Sequence, residues 1–143
     1  MLGALALGET RLRGLLQAED VACTAHCLKE MGVPIWEAGE QVVIEGQGDA
    51  GLSQPLRTLE AGNSGTTTRL LMGIIASFPI KAQIDGDASL RRRPMDRVAI
   101  PLRQMGAQIS GEGTRCRPPV IVQGGPLQGI EYHLPMASAQ VKS

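Results

Sequence analysis

The chain has 143 residues, 43% of them hydrophobic and 20% charged, a globular rather than disordered composition in the size range of one modest domain. Lys and Arg number 14, as do Asp and Glu, which excludes attachment to nucleic acid or a membrane by bulk positive charge but leaves room for a local basic site. Trp36, Phe78 and Tyr132 are too few rings for a base-stacking platform, whereas 18 glycines point to tight turns or backbone approached by a ligand.

In chain order, residues 2–7 are apolar and helix-favouring, and 11–15 read as a strand. A helix follows whose first turn carries Glu19 and Asp20, where carboxylates meet the positive end of the dipole. Its apolar stripe is Val21, Ala25, Leu28 and Met31, at spacings of three and four. Cys23, His26 and Cys27 share this helix. A metal site would need a second ligand pair at suitable spacing, and none is present, so these three read as ordinary helix residues and no metal is expected. Together with Cys116 the cysteines form an odd, dispersed set, which implies no disulfide framework and fits a reducing, cytoplasmic setting. Gly32 suits a left-handed cap, and 33–37 with 41–46 read as a hairpin.

A second series then begins. Residues 66–77 form an apolar helix and 81–85 a strand. Val98, Leu102 and Met105 mark the next helix, with Pro94 in its first turn and Pro101 predicting a bend or early break. Gly106 is again a cap, and 107–111 pairs with 120–123 across a longer loop, 112–119. His133 stands alone and reads as structural or exposed, and Ser138 is placed as the N-cap of a turn starting at Ala139. The longest uncharged apolar run, 70–80, is too short to cross a bilayer, and residues 1–8 lack the features of a signal peptide. Both ends read as cut inside structural elements, so the expectation is a piece of a longer protein.

The two series are an internal repeat. Lys29-Glu30-Met31-Gly32-Val33-Pro34-Ile35 matches Arg103-Gln104-Met105-Gly106-Ala107-Gln108-Ile109, and Val42-Val43-Ile44-Glu45-Gly46 matches Val120-Ile121-Val122-Gln123-Gly124. Ser64 and Ser138 both precede helix starts. The reading is an α/β protein of repeated βαβαββ units: 1–48 lacking a first strand, 49–124, and the start of a third at 125–143.

Three segments carry anion chemistry. Gly62-Asn63-Ser64-Gly65-Thr66-Thr67-Thr68-Arg69 is glycine-bracketed, rich in hydroxyls and opens a helix, where free N–H groups and the dipole favour a phosphate or carboxylate. It lacks the lysine of a nucleotide P-loop, and a plain capped helix is the competing reading. Arg91-Arg92-Arg93-Pro94 supplies guanidinium groups. Arg93, held by the proline, is the best placed for a bidentate grip, against the alternative of a solvated face. Ser138-Ala139-Gln140 occupies the equivalent helix start in the next unit, with an ordinary cap as its alternative. No general acid–base pair is visible.

These motifs closely resemble the 5-enolpyruvylshikimate-3-phosphate synthase family, in its bacterial, Gram-positive style, across essentially the whole chain. The matching pieces are Leu59-Glu60-Ala61-Gly62-Asn63-Ser64-Gly65-Thr66-Thr67-Thr68-Arg69-Leu70, Gly86-Asp87-Ala88-Ser89-Leu90-Arg91-Arg92-Arg93-Pro94-Met95 and Pro135-Met136-Ala137-Ser138-Ala139-Gln140-Val141-Lys142-Ser143. The resemblance implies the enolpyruvyl transferase fold, in an incomplete lobe, and transfer of enolpyruvyl from phosphoenolpyruvate to shikimate 3-phosphate in the shikimate pathway, without metal or organic cofactor. It implies Asn63, Gly65, Arg93 and Gln140 as phosphoenolpyruvate ligands, at the position that glyphosate also takes. Ser138, Ala139 and Gln140 become shikimate 3-phosphate ligands, with Thr66 and Arg69 supporting the helix start. Leu70 stands where some relatives have proline, so the motif implies nothing about inhibitor sensitivity. The family's Lys-Ser segment and its other lobe, with the acid–base carboxylates, are missing. These residues alone are therefore expected to be inactive and to bind both ligands weakly. The alternatives are a UDP-sugar enolpyruvyl transferase, for which Cys116 would be the reactive loop cysteine, and a non-catalytic half of a split enzyme that works with a complementary chain.

Overall fold

The computed structural model describes residues 1–48, 51–134 and 139–142. Helix α1 (Leu2–Leu5) leads directly into strand β1 (Leu7–Arg13), followed by α2 (Glu19–Glu30), β2 (Ile35–Ala38) and β3 (Gln41–Gln47). The strands form a three-stranded antiparallel sheet in the order β1-β3-β2. Strand β1 thus starts earlier than the 11–15 read from sequence. Its pairing with β3 runs unbroken from Leu7↔Gln47 to Arg13↔Gln41, and those ladder bonds outweigh the helix preference of the local residues. Gly14, with φ +63, turns the chain out of the strand.

The second series is β4 (Leu59–Glu60), α3 (Gly65–Ala76), β5 (Lys81–Asp85), a single 3-10 turn (Leu90–Arg92), α4 (Asp96–Gln104), β6 (Gln108–Glu112) and β7 (Arg117–Gln123). Its sheet has the order β4-β5-β7-β6, with β4 parallel to β5 and the other pairs antiparallel. Removing β4 leaves β5-β7-β6, the same arrangement as β1-β3-β2. Gly46 and Gly124, matched in the repeat, do the same job. A Cβ on Gly46 would collide with the carbonyls of Gly3 and Ala6 at the end of α1, and one on Gly124 with those of Ile75, Ala76 and Phe78 at the end of α3. Gly32 and Gly106 both take the positive φ expected of them, +85 and +113.

Three sequence readings need correction. Pro94 lies before α4 rather than inside its first turn, because Met95 and Asp96 direct their N–H groups to the Arg115 carbonyl and the helix starts only at Asp96. Pro101 does not end α4. The helix runs on to Gln104, and burial of Pro101 with Val98 and Ala99 offsets the one missing bond. The longer loop is shorter than 112–119, since Arg117, Pro118 and Pro119 belong to β7. The prolines need no β5 partner, because the β5 ladder pairs only with Val120 to Gln123.

Helix α3 is the centre of the core. Leu71, Met72, Ile75 and Ala76 are fully buried, and the helix packs on α2, α4, β5 and β7. A single apolar cluster joins these residues to Leu28 and Met31 of the first series and to Ile84, Val120 and Val122 of the second sheet. Within α2 the buried residues are Cys27 and Leu28, so the stripe is narrower than the one read from sequence; Val21 and Ala25 are only half-buried. The short α5 (Ala139–Lys142) rests on α3 and α4.

Candidate functional site

Strand β4 ends at Glu60, and after four intervening residues α3 begins at Gly65. Gly62 makes the turn with φ +58, and its carbonyl accepts the Asp87 N–H at 3.0 Å, which fixes the loop against the one after β5. A Cβ on Gly86 would collide with that Gly62 carbonyl, so the close approach of the two loops requires glycine at 86. Ser64 caps α3, its Oγ accepting from the Thr67 N–H at 3.1 Å and donating to Thr67 Oγ1 at 2.8 Å. The first intrahelical bond runs from the Thr68 N–H to the Ser64 carbonyl at 3.2 Å, so the Gly65 and Thr66 N–H groups lie ahead of the ladder.

Arg93 approaches this helix start from the chain segment after β5. It has φ −85 and ψ 132, the extended conformation that a following proline imposes, and it is exposed. A Cβ on Gly65 would lie 3.2 Å from Arg93 Nη1 and 2.9 Å from Arg69 Nη1. Glycine at this position is what lets two guanidinium groups reach the backbone. Arg69 donates from Nη1 to the Gly65 carbonyl at 3.3 Å and from Nη2 to the Pro94 carbonyl at 3.0 Å, bracing the two segments that form the site. Burial pushes the Arg69 pKa down, and the neighbouring charges of Arg93 and Arg97 push it further. The Arg69, Arg93 and Arg97 guanidinium groups are thus near neighbours at this helix start.

The arginine run divides by role. Arg91 forms a bidentate pair with Asp85, Nε to Oδ1 at 3.0 Å and Nη2 to Oδ2 at 2.6 Å. Burial would raise the Asp85 carboxyl, but the Arg91 and Gly86 hydrogen bonds and the Arg91 charge outweigh it and hold the pKa below its ordinary value. Arg91 is thus engaged in holding the loop, Arg92 is exposed, and Arg93 faces the helix start.

An open depression of about 300 Å³ sits here, lined by Glu19, Asp20, Asn63, Ser64, Gly65, Thr66 and Arg93. The structure therefore brings together four neighbouring residues of the β4–α3 junction and an arginine some thirty positions away. Gln140 and Ala139 lie on α5 against α3 and α4 and are not part of this lining, and Ser138 lies outside the described residues. Glu19 and Asp20 are the residues missed by sequence reasoning, which saw in them only favourable helix-dipole charges. Their place in the depression follows from contacts across more than forty positions, for which no local signal exists: Asn63 Nδ2 donates to Glu19 Oε2 at 3.2 Å, and Thr67 Oγ1 donates to the Asp20 carbonyl at 3.3 Å. Thr24 Oγ1 and Thr67 Oγ1, 2.8 Å apart, complete the seam between α2 and α3.

The cysteines do not gather. Cys27 is buried with Sγ 3.5 Å from the Glu60 carbonyl, its pKa pushed up to about 12 by burial first and by nearby negative charge, while His26 is exposed. Among the described residues no group of three or more His, Cys, Asp or Glu is placed to hold a metal ion. Cys116 is buried, and burial pushes its thiol up despite Arg103 beside it, so it has none of the character of a reactive loop cysteine. No helix among the described residues is long and apolar enough to cross a membrane.

Repeated α/β units, one of them with an arginine beside an N–H-bearing helix start at a strand end, define an α/β protein with a candidate anion site. The model of the EPSP synthase family, 3-phosphoshikimate 1-carboxyvinyltransferase, matches residues 1–143, and the chain belongs to that family. Curated relatives of that name from Streptococcus pyogenes strains NZ131 and MGAS10750 are 53% identical over the whole chain, which covers 34% of each relative. Two structures of EPSP synthase from Acinetobacter baumannii superpose with a TM-score of 0.92 at 48% identity, covering 98% of this chain and 32% of theirs. The chain thus spans about a third of the length of these relatives and has an incomplete lobe of their fold. The UDP-sugar alternative is not favoured, since the family match and the relatives alike carry the 3-phosphoshikimate name.

Proposed function

We propose that these residues supply part of the substrate-binding wall of a 3-phosphoshikimate 1-carboxyvinyltransferase, which moves the enolpyruvyl group of phosphoenolpyruvate onto shikimate 3-phosphate and releases phosphate. The observation that carries this reading is the meeting of Arg93 with Asn63, Gly65 and Thr66 around one depression at the start of α3. A phosphate or carboxylate there would accept the Gly65 and Thr66 N–H groups, lie along the α3 dipole and neutralise the charge crowded around Arg69. Asn63, Gly65 and Arg93 would bind phosphoenolpyruvate, with Thr66 and Arg69 holding the helix start. Gln140 would join them through both substrates, with Ser138 and Ala139 on the phosphate of shikimate 3-phosphate.

In this reading 1–48, 49–124 and 125–143 are successive units of one lobe. Their role is to bind and orient, while the acid–base groups come from the remaining two thirds of the relatives' length. The wall works without a metal, in the cytoplasm, where three free cysteines remain reduced. A complementary polypeptide would complete the site.

Adding phosphoenolpyruvate and shikimate 3-phosphate to the purified 143 residues should release no phosphate, and adding a polypeptide with the rest of a relative should restore turnover. Turnover by the 143 residues alone would refute the division of labour. Absence of any NMR shift at residues 62–66 and 93 on addition of phosphoenolpyruvate would refute the site.

A further inference from the structure

Glu19 is the part of the depression that an anion site does not by itself explain, because a carboxylate repels the ligand that Arg93 attracts. Its neighbour Asp20 is engaged within its own helix, with Oδ1 accepting from the Val21 N–H at 2.9 Å and its carbonyl accepting from Thr24 Oγ1 at 2.8 Å. Glu19 instead reaches across to the β4–α3 loop, where Oε2 accepts from Asn63 Nδ2 at 3.2 Å. Gly62 leaves the room for this reach. A Cβ there would come within 3.2 Å of Glu19 Oε1 and 2.9 Å of Cys23 Sγ.

An asparagine amide on an exposed loop can present either its oxygen or its nitrogen, since the two ends are nearly the same shape and the terminal torsion is broad. An ionised carboxylate only accepts, so it selects the nitrogen and holds it with a charge-assisted bond. One Asn63 N–H is then committed to Glu19 while the other remains to be donated. We propose that Glu19 is a positioning residue that fixes the Asn63 amide with its second N–H toward the depression, turning a two-faced side chain into a dedicated anion donor. This rests on the reading of the depression as the seat of a phosphate-bearing ligand. The carboxylate's charge opposes that ligand, while Arg93 on the other side of the depression attracts it.

Charge and positioning are separable by two substitutions at this exposed residue. Glu19→Gln removes the charge but keeps an oxygen that can accept from Asn63, whereas Glu19→Ala removes both. With inorganic phosphate as the probe, E19Q should bind at least as tightly as the unmodified 143-residue chain, and E19A roughly three- to tenfold more weakly than E19Q, the span of one lost hydrogen bond. Equal affinities for E19Q and E19A would overturn the proposal. The Asn63 side-chain amide gives a second readout that needs no ligand. Its two proton resonances should be well separated in the unmodified protein, less so in E19Q, and collapsed toward random-coil values in E19A. An Asn63 amide unchanged in E19A would also overturn it. An unmodified chain with no phosphate response at residues 62–66 and 93 would overturn the anion reading instead, and the amide resonances would still decide whether Glu19 anchors Asn63.

Discussion

The two halves of the molecule share one sheet arrangement, β1-β3-β2 and β5-β7-β6, and the depression described above lies mostly in the second. In the first, α1 has four residues, buries only Ala4, and passes straight into β1, whose outer edge has no strand beside it among the described residues. In the second, the short β4 runs parallel to β5, and its end delivers the chain into a twelve-residue helix with a serine cap, a close-approach glycine and a guanidinium cluster. The repeat provides sheet and helix packing in both halves. Among the described residues, the candidate site lies where the end of β4 and the start of α3 meet with glycine between them.

The sharpest test of that asymmetry is in the core. Ile75→Ala, in the fully buried face of α3, should cost about 3–4 kcal/mol, and Leu5→Ala, half-buried on α1, less than half of that, read from urea unfolding midpoints. Equal costs would mean that α1 carries as much of the fold as α3. Gly46→Ala and Gly124→Ala probe what the halves share. Each places a methyl group against the carbonyls at the end of the preceding helix, so each should cost about 1–3 kcal/mol and lower the melting temperature similarly. A harmless Gly46→Ala would break the equivalence.

Next comes the split between loop-holding and ligand-holding arginines. Arg93→Ala should weaken phosphate binding about tenfold with the melting temperature unchanged, as expected for loss of one charged contact at an exposed side chain. Arg91→Ala should do the reverse, lowering the melting temperature and leaving titration by phosphate nearly intact. The Asp85 pKa is depressed in the folded protein, so the stability from its pairing is fully present above the ordinary value of 3.8 and is lost as pH falls through the lower folded value. The gap in melting temperature between R91A and the unmodified protein should accordingly be wide near neutrality and close in acid. The smallest effect is a gain. A Cβ added at Gly73, inside α3, would meet nothing within 4 Å, so Gly73→Ala should stabilise by about 0.5–1 kcal/mol in the same unfolding experiment.

Much of this was legible from residues alone. Strand β5 lies at the 81–85 read from sequence, and α3 begins one residue before the expected position, because apolar periodicity and a serine cap are local signals. Gly32 and Gly106 announced their left-handed turns for the same reason. The misreadings all involve competition between local preference and distant pairing. Leu7 joined a strand because Gln47 was opposite it, Pro118 and Pro119 entered β7 because the β5 ladder had already ended, and Pro101 stayed in α4 because its face was buried.

The sequence by itself determined the repeat, the α/β class and the candidate anion ligands Asn63, Gly65 and Arg93, since spacing, glycine and charge are written in neighbouring residues. Only the tertiary structure decided which arginine of the run was spent on Asp85, that Arg69 braces the Pro94 carbonyl, and that Glu19 lies against Asn63. Each of those choices depends on groups brought together from distant points in the chain, and hydrogen bonding acts over about 3 Å of space whatever the separation in sequence.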